Sequence, residues 1–244
     1  MEIFKMKDGF DKIKKKHKLF NMPFKGVICS KSQIGMGKSN FIGNLLLRDE
    51  GYKNIFDGEN IYIVNPSQKL DKKFKVIQEE LEIPDENIFN EFDEDVLNDL
   101  YEMIEEMALE ELDEDGKVKP RLLILDDCSF GGNLTGKRNG VISKIFCNSR
   151  HIGLNTILTT QKYTDCPTVA RENLTWLVTG SCSNKQMQLI SDDHNLFIND
   201  KSFKKMFRDT TGQPYSFLCC AYDRPDNERY LDKNFKIINQ EKYL

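Results

Sequence analysis

The chain has 244 residues, 39% of them hydrophobic and 30% charged, with a formal net charge of −4 and a sequence pI of about 5.6. That balance excludes an intrinsically disordered chain, and the length allows a core that needs no disulfide or metal staple. No uncharged apolar run approaches the roughly 18 residues needed to span a bilayer, and the charged start MEIFKMKDGF lacks a secretory leader's apolar core, so a soluble intracellular protein is expected.

Residues 1–22 read as a basic arm, with eight lysines between Lys5 and Lys25, including the run KIKKKHK. After Pro23, FKGVICS is a short apolar run expected as a buried strand. A Gly-containing loop leads to GKSNFIGNLLLRDEG, a helix with Phe41, Ile42, Leu45 and Leu46 on one face and Gly51 as its stop. IYIVNP is a strand closed by Pro66, and residues 71–83 form a short amphipathic helix. A longer acidic helix is expected over 94–112, with Val96, Leu97, Leu100, Ile104 and Met107 as its buried stripe and DEDGK (113–117) as a turn. From Asp85 to Asp115 there are fifteen acids and no Lys or Arg, so the mild overall acidity hides a strong asymmetry and does not exclude a polyanionic partner.

RLLILDD (121–127) is a continuous apolar strand ending in two acids, followed by the Gly-rich loop FGGNLTGKRNG and a helix over 141–150. LNTILTTQ (154–161) and TWLVTG (175–180) are further strands, helices follow at 185–193 and 201–208, and PYSFLCCAY (214–222) closes the sheet. Alternating strands and helices, with strands apolar throughout, describe a mostly parallel sheet covered on both faces: one α/β domain over 23–222, with a tail at 223–244. The seven cysteines form no CxxC pair and lie mostly in apolar runs, so they read as small buried hydrophobes.

Four places carry chemistry. Ser32-Gln-Ile-Gly35-Met36-Gly37-Lys38-Ser39-Asn40 joins a strand to a helix. Its glycines let backbone N–H groups turn inward, the helix N-terminus adds positive dipole, Lys38 reaches β- and γ-phosphates, and the Ser39 hydroxyl binds Mg²⁺. Ser32 stands where the usual pattern has its first glycine. Asp126 ends the acidic strand and is the expected Mg²⁺ ligand, while Asp127 can polarise an attacking water. Gln161 ends the next strand, where its amide can contact both the γ-phosphate and the water. Arg150 and Arg171, each just before a strand, are candidates for a transition-state arginine supplied to a neighbouring subunit.

SQIGMGKS, LLILDD, the RH before ILTTQ and TVAREN before TWLVTG together resemble the FtsK/HerA-type ATPases, above all the genome-packaging ATPases of large DNA viruses, poxvirus-like relatives and virophages. The resemblance runs from about residue 24 to 180. It implies a RecA-like core of the additional-strand (ASCE) type and a homo-oligomeric ring of five or six subunits. It further implies ATP and Mg²⁺ as ligands and double-stranded DNA as the translocated partner, with capsid or virion membrane proteins as docking partners and the host cytoplasm or the virion as location. In that scheme Lys38 and Ser39 bind nucleotide and Mg²⁺, Asp126 holds the metal, Asp127 is the general base in place of the Glu of many relatives, and Gln161 is the sensor. Lys137 and Arg138, on the glycine-rich loop after Asp127, are the expected DNA contacts, with the basic arm as the other candidate. Rival P-loop branches lack support: no NKxD base-reading motif follows a strand and no LSGGQ signature occurs. A DNA-independent ATPase or a nucleotide-binding assembly scaffold is the alternative reading.

Overall fold

The computed structural model describes residues 14–31, 37–66, 72–110, 117–128 and 140–244. Eight strands form one sheet: β1 (Lys25–Cys29), β2 (Ile61–Val64), β3 (Ile88–Phe89), β4 (Arg121–Leu125), β5 (Leu154–Thr160), β6 (Trp176–Thr179), β7 (Leu218–Ala221) and β8 (Tyr230–Leu231). Their spatial order is β3-β2-β4-β5-β1-β6-β7-β8. The six strands from β3 to β6 run parallel, and β7 and β8 are antiparallel to their neighbours. The sheet therefore does not close at PYSFLCCAY. Tyr230 and Leu231 add an edge strand beyond it, and Ile88 and Phe89 form the opposite edge, both too short for a periodicity signal.

Side-chain alternation assigns the two faces. Val27, Leu123, Leu125 and Leu158 point to one face, covered by α3 (Glu94–Glu110), α4 (Val141–Asn148), α5 (Thr168–Glu172), α6 (Asn184–His194) and α7 (Asp200–Thr211). Ile28, Leu122, Ile124 and Ile157 point to the other, covered by α1 (Lys38–Leu47) and α2 (Lys72–Glu80). In α3 the buried stripe is Leu97, Leu100, Tyr101, Ile104 and Ala108. Val96, expected inside, is 44% exposed and Met107 is half-buried, because the stripe rotates one position to seat the Tyr101 ring.

The parallel register is pinned by a buried asparagine. Asn155 in β5 accepts from the Phe24 N–H at 3.0 Å and donates to the carbonyls of Arg121 and Gly153 at 3.0 and 3.2 Å, linking the strand beginnings on both sides of it. Residues before β1 are part of the core: Phe20 is fully buried and stacks on Trp176 at 4.6 Å. Trp176 in turn lies flat on Gly26, where an added Cβ would sit 1.9 Å from the ring. The residues after β7 reach the same region, since Asn21 donates its N–H to Asp223 at 2.8 Å and Arg224 donates to the Lys18 carbonyl at 2.9 Å.

Between β5 and α6 lies a buried polar network. The Tyr163 hydroxyl donates to Asp193 at 3.0 Å and meets His194 Nε2 at 2.5 Å, and the Tyr222 hydroxyl meets His194 Nδ1. With the Tyr163 hydrogen given to Asp193, the imidazole carries its own hydrogen on Nε2 and accepts from Tyr222 on Nδ1. Burial, opposed by Asp193 and aided by Arg171 and Arg229, lowers the His194 pKa from 6.5 to about 4.

Two outcomes follow from this packing. Gly26→Ala drives a methyl group into Trp176 and is expected to destabilise the protein by about 1–3 kcal/mol, read from urea denaturation. His194 binds its proton less readily when folded than unfolded, so its contribution is complete above pH 6.5 and is lost as the pH falls towards about 4. The loss amounts to about 3 kcal/mol, and the stability of His194→Gln, measured over the same pH range, should fall less steeply by about that amount.

Candidate nucleotide site

At the carboxyl edge of the sheet, β1, β5 and β4 lie side by side, so the strand-end residues read from the sequence converge on one place. Gly37 takes a left-handed backbone (φ 73°, ψ 72°) and caps α1, which starts at Lys38. That conformation suits glycine, and it points the first-turn N–H groups of α1 towards the edge. The first turn contains no acidic residue, so its positive end is left for an external anion. Lys38 is buried (9% exposed), with its Nζ 3.4 Å from the Ser30 carbonyl. Ser39 is half-buried and Asn40 exposed in the same turn.

Asp126 continues the alternation of Leu122 and Ile124, which directs its side chain to the α1 face. It is 4% exposed, and its Oδ1 accepts from the Thr159 hydroxyl at 2.7 Å. The Asp127 N–H donates to that same hydroxyl at 3.1 Å. Alternation would send the Asp127 side chain to the opposite face. Instead its backbone is left-handed (φ 49°), and its carboxylate lies 3.3 Å from Lys38 Nζ. The contact is an ion pair by distance without the alignment of a hydrogen bond. A left-handed non-glycine residue costs about 1–3 kcal/mol and persists only where its surroundings fix it; here Thr159 and Lys38 do so.

Gln161 is exposed at the end of β5 on the rim of a cleft of about 710 Å³, beside Ser30, Lys31, Lys162 and Tyr163. Arg150 lies elsewhere. It is exposed in the turn before β5, at the opposite end of the strand from Gln161, with its Nε 3.2 Å from His151 Nε2. Arg171 is engaged within the subunit: it donates to Asp193 at 2.8 Å and to Thr168 at 3.0 Å and lies 5.3 Å over the Tyr163 ring. Ser32, Gly35, Met36, Lys137 and Arg138 lie outside the described residues.

Thr159 was not among the residues expected from sequence. Its signal is present in ILTTQ: counting back by two from Gln161 puts a hydroxyl on the α1 face one step inside the strand end. A hydroxyl from Ser39 and a buried carboxylate from Asp126 are hard oxygen donors of the kind Mg²⁺ takes when it is shared with substrate phosphates, so the residues present fit that ion.

Among curated protein sequences no match is found. Solved structures with the same fold include the genome packaging NTPase B204 from Sulfolobus turreted icosahedral virus 2 in complex with AMPPCP, at 17% identity over 88% of this chain and 98% of that one with a TM-score of 0.56. The pCW3 conjugation coupling protein TcpA, monomer form with ATPgS, is similar at 14% identity over 89% of this chain and 61% of that one, with a TM-score of 0.52. With β5 between β1 and the acidic strand β4, the fold is a RecA-like P-loop NTPase core of the additional-strand type. The family model described as Poxvirus A32 protein matches residues 11–218, and the chain belongs to that family.

Proposed function

We propose that this chain is a viral genome-packaging NTPase that hydrolyses ATP with Mg²⁺, works as a homo-oligomeric ring and translocates double-stranded DNA in the host cytoplasm or the virion. The observation that carries the reading is the meeting of Lys38 and Asp127 at 3.3 Å beside the Thr159-held Asp126. Family membership supports it, as does the likeness to B204, described as a genome packaging NTPase and solved with AMP, AMPPCP and ATP-gammaS.

In this reading Lys38 leaves Asp127 for the β- and γ-phosphates when ATP arrives, aided by the N–H groups at the start of α1. Ser39 and Asp126 would hold Mg²⁺, which supplies charge neutralisation on the phosphates. Asp127, released from its lysine, accepts the proton of the attacking water. Gln161 orients that water from the end of β5. Gly35, Met36 and Asn40 line the phosphates, with Ser32 opening the loop. Arg150, exposed at the far end of β5, is the arginine suited to serve a neighbouring subunit, while Arg171, joined to Asp193, positions the segment after Gln161. Lys137, Arg138 and the basic residues before β1 contact the DNA backbone.

The test is steady-state ATP hydrolysis with and without linear double-stranded DNA. Wild-type turnover should rise with DNA, and Asp127→Asn should lose at least about 100-fold in kcat while still binding ATP; turnover indifferent to DNA removes the translocase reading. Lys38→Ala should lose nucleotide binding itself. Thr159→Val keeps the side chain's shape but removes both hydrogen bonds to the paired acids. It should lower kcat by about 10–100-fold with little change in KM, and Thr159→Ser should restore it; unchanged kcat in Thr159→Val would show that Asp126 and Asp127 hold their positions without it.

A further inference from the structure

A second cavity, of about 500 Å³, runs along the flank of α1 from Asn40 to Arg48. It begins one residue beyond Ser39, and the α-helical rise gives it a length of roughly 12 Å along the helix. Its floor is aromatic. Phe41, Phe217 and Phe235 are in mutual contact, with ring centroids 5.2, 5.8 and 6.1 Å apart. Its rim carries the 68%-exposed Tyr215, the amide side chain of Asn44 and residues of the turn Asp232–Lys236.

Two of these aromatics have an unusual backbone. Among the described residues five non-glycine positions have positive φ, and one of the five is Asp127. Tyr215 (φ 56°) and Phe235 (φ 57°) are two of the others, and both line this cavity. Left-handed backbone at a bulky aromatic is uncommon and needs surroundings that fix it. For Phe235 these are visible: Asp232 accepts from the N–H groups of Asn234, Phe235 and Lys236, through its side chain or its carbonyl. Two separate chain segments, the one before β7 and the one after β8, thus each bend to present a ring to the same groove beside the P-loop helix.

We infer that this groove holds the base and ribose of the bound nucleotide, with the purine laid against Tyr215 and its polar edge met by Asn44. The inference rests on the proposed nucleotide-binding role of Lys38 and Ser39. The phosphates belong at the first turn of α1, so the nucleoside must leave that turn on a side away from Asp126 and Gln161, and the groove starts at that turn. The volume lies within the range of about 300–1,000 Å³ usual for small-molecule sites. Aromatic walls with a few polar groups suit a flat heteroaromatic base, and the charged residues of the lining, Arg48, Glu50 and Lys233, include both signs.

The experiment compares binding of ATP and of inorganic tripolyphosphate to the full chain, by calorimetry, in wild type, Tyr215→Ala, Asn44→Ala and Lys38→Ala. Tyr215 and Asn44 are exposed, so neither truncation disturbs the core. Tyr215→Ala should weaken ATP about tenfold through lost base stacking and leave tripolyphosphate unchanged, and Asn44→Ala should reduce the preference for ATP over GTP. ATP affinity unchanged in both variants, with binding abolished in Lys38→Ala, would overturn the groove assignment and leave the nucleotide-binding reading standing. Failure of the wild type to bind either ligand would overturn both.

Discussion

The hydroxyl of Thr159 is the junction on which the site depends. It donates to the Asp126 carboxylate and accepts from the Asp127 N–H, so a single side chain from β5 fixes both acids at the end of β4. A carboxylate as buried as Asp126 is costly without such a partner. The partner is available only because β5 lies between β1 and β4 and extends beyond β4, with Leu125 opposite Leu158 and Thr159 one residue further on. The same hydroxyl helps keep Asp127 in its left-handed turn, which brings that carboxylate over to Lys38.

The opposite end of β5 is fixed by similar means. Asn155 ties the start of β1 to the start of β4 through three hydrogen bonds to backbone groups, and both residues lie on the α1 face. On its α1 face the central strand thus carries a polar residue at each end, Asn155 and Thr159, on either side of Ile157. The first ties β5 to the strand beginnings on both sides, and the second holds Asp126 and Asp127 at the strand ends. The core around them is finished by segments distant in sequence: Phe20 on Trp176, and Phe235 on both Phe20 and Phe41.

Much of this was legible in the sequence, for a definite reason. The parallel strands are buried on both faces and so appear as unbroken apolar runs, and SQIGMGKS, LLILDD and ILTTQ mark strand ends that must meet once the sheet is formed. What escaped was non-local. The two-residue strands β3 and β8 have no period of their own and exist only through their neighbours. The exposure of Val96 follows from how Tyr101 packs between elements, and the left-handed turns at Asp127, Tyr215 and Phe235 come from contacts made across the fold. Arg171 looked like Arg150 in sequence; its ion pair with Asp193 in α6 is a contact between elements that the sequence order does not show.

The sheet also limits how copies of the chain can meet. Both of its edges are strands of two residues, and β8 is further shielded by the bridge from Leu231 to Ile237. Such short edges offer almost no unpaired backbone ladder to an incoming strand. In the proposed ring, neighbouring subunits would therefore meet through helix and loop surfaces, which can slide and rock against each other, and not through a continuous shared sheet, which would lock them in one orientation.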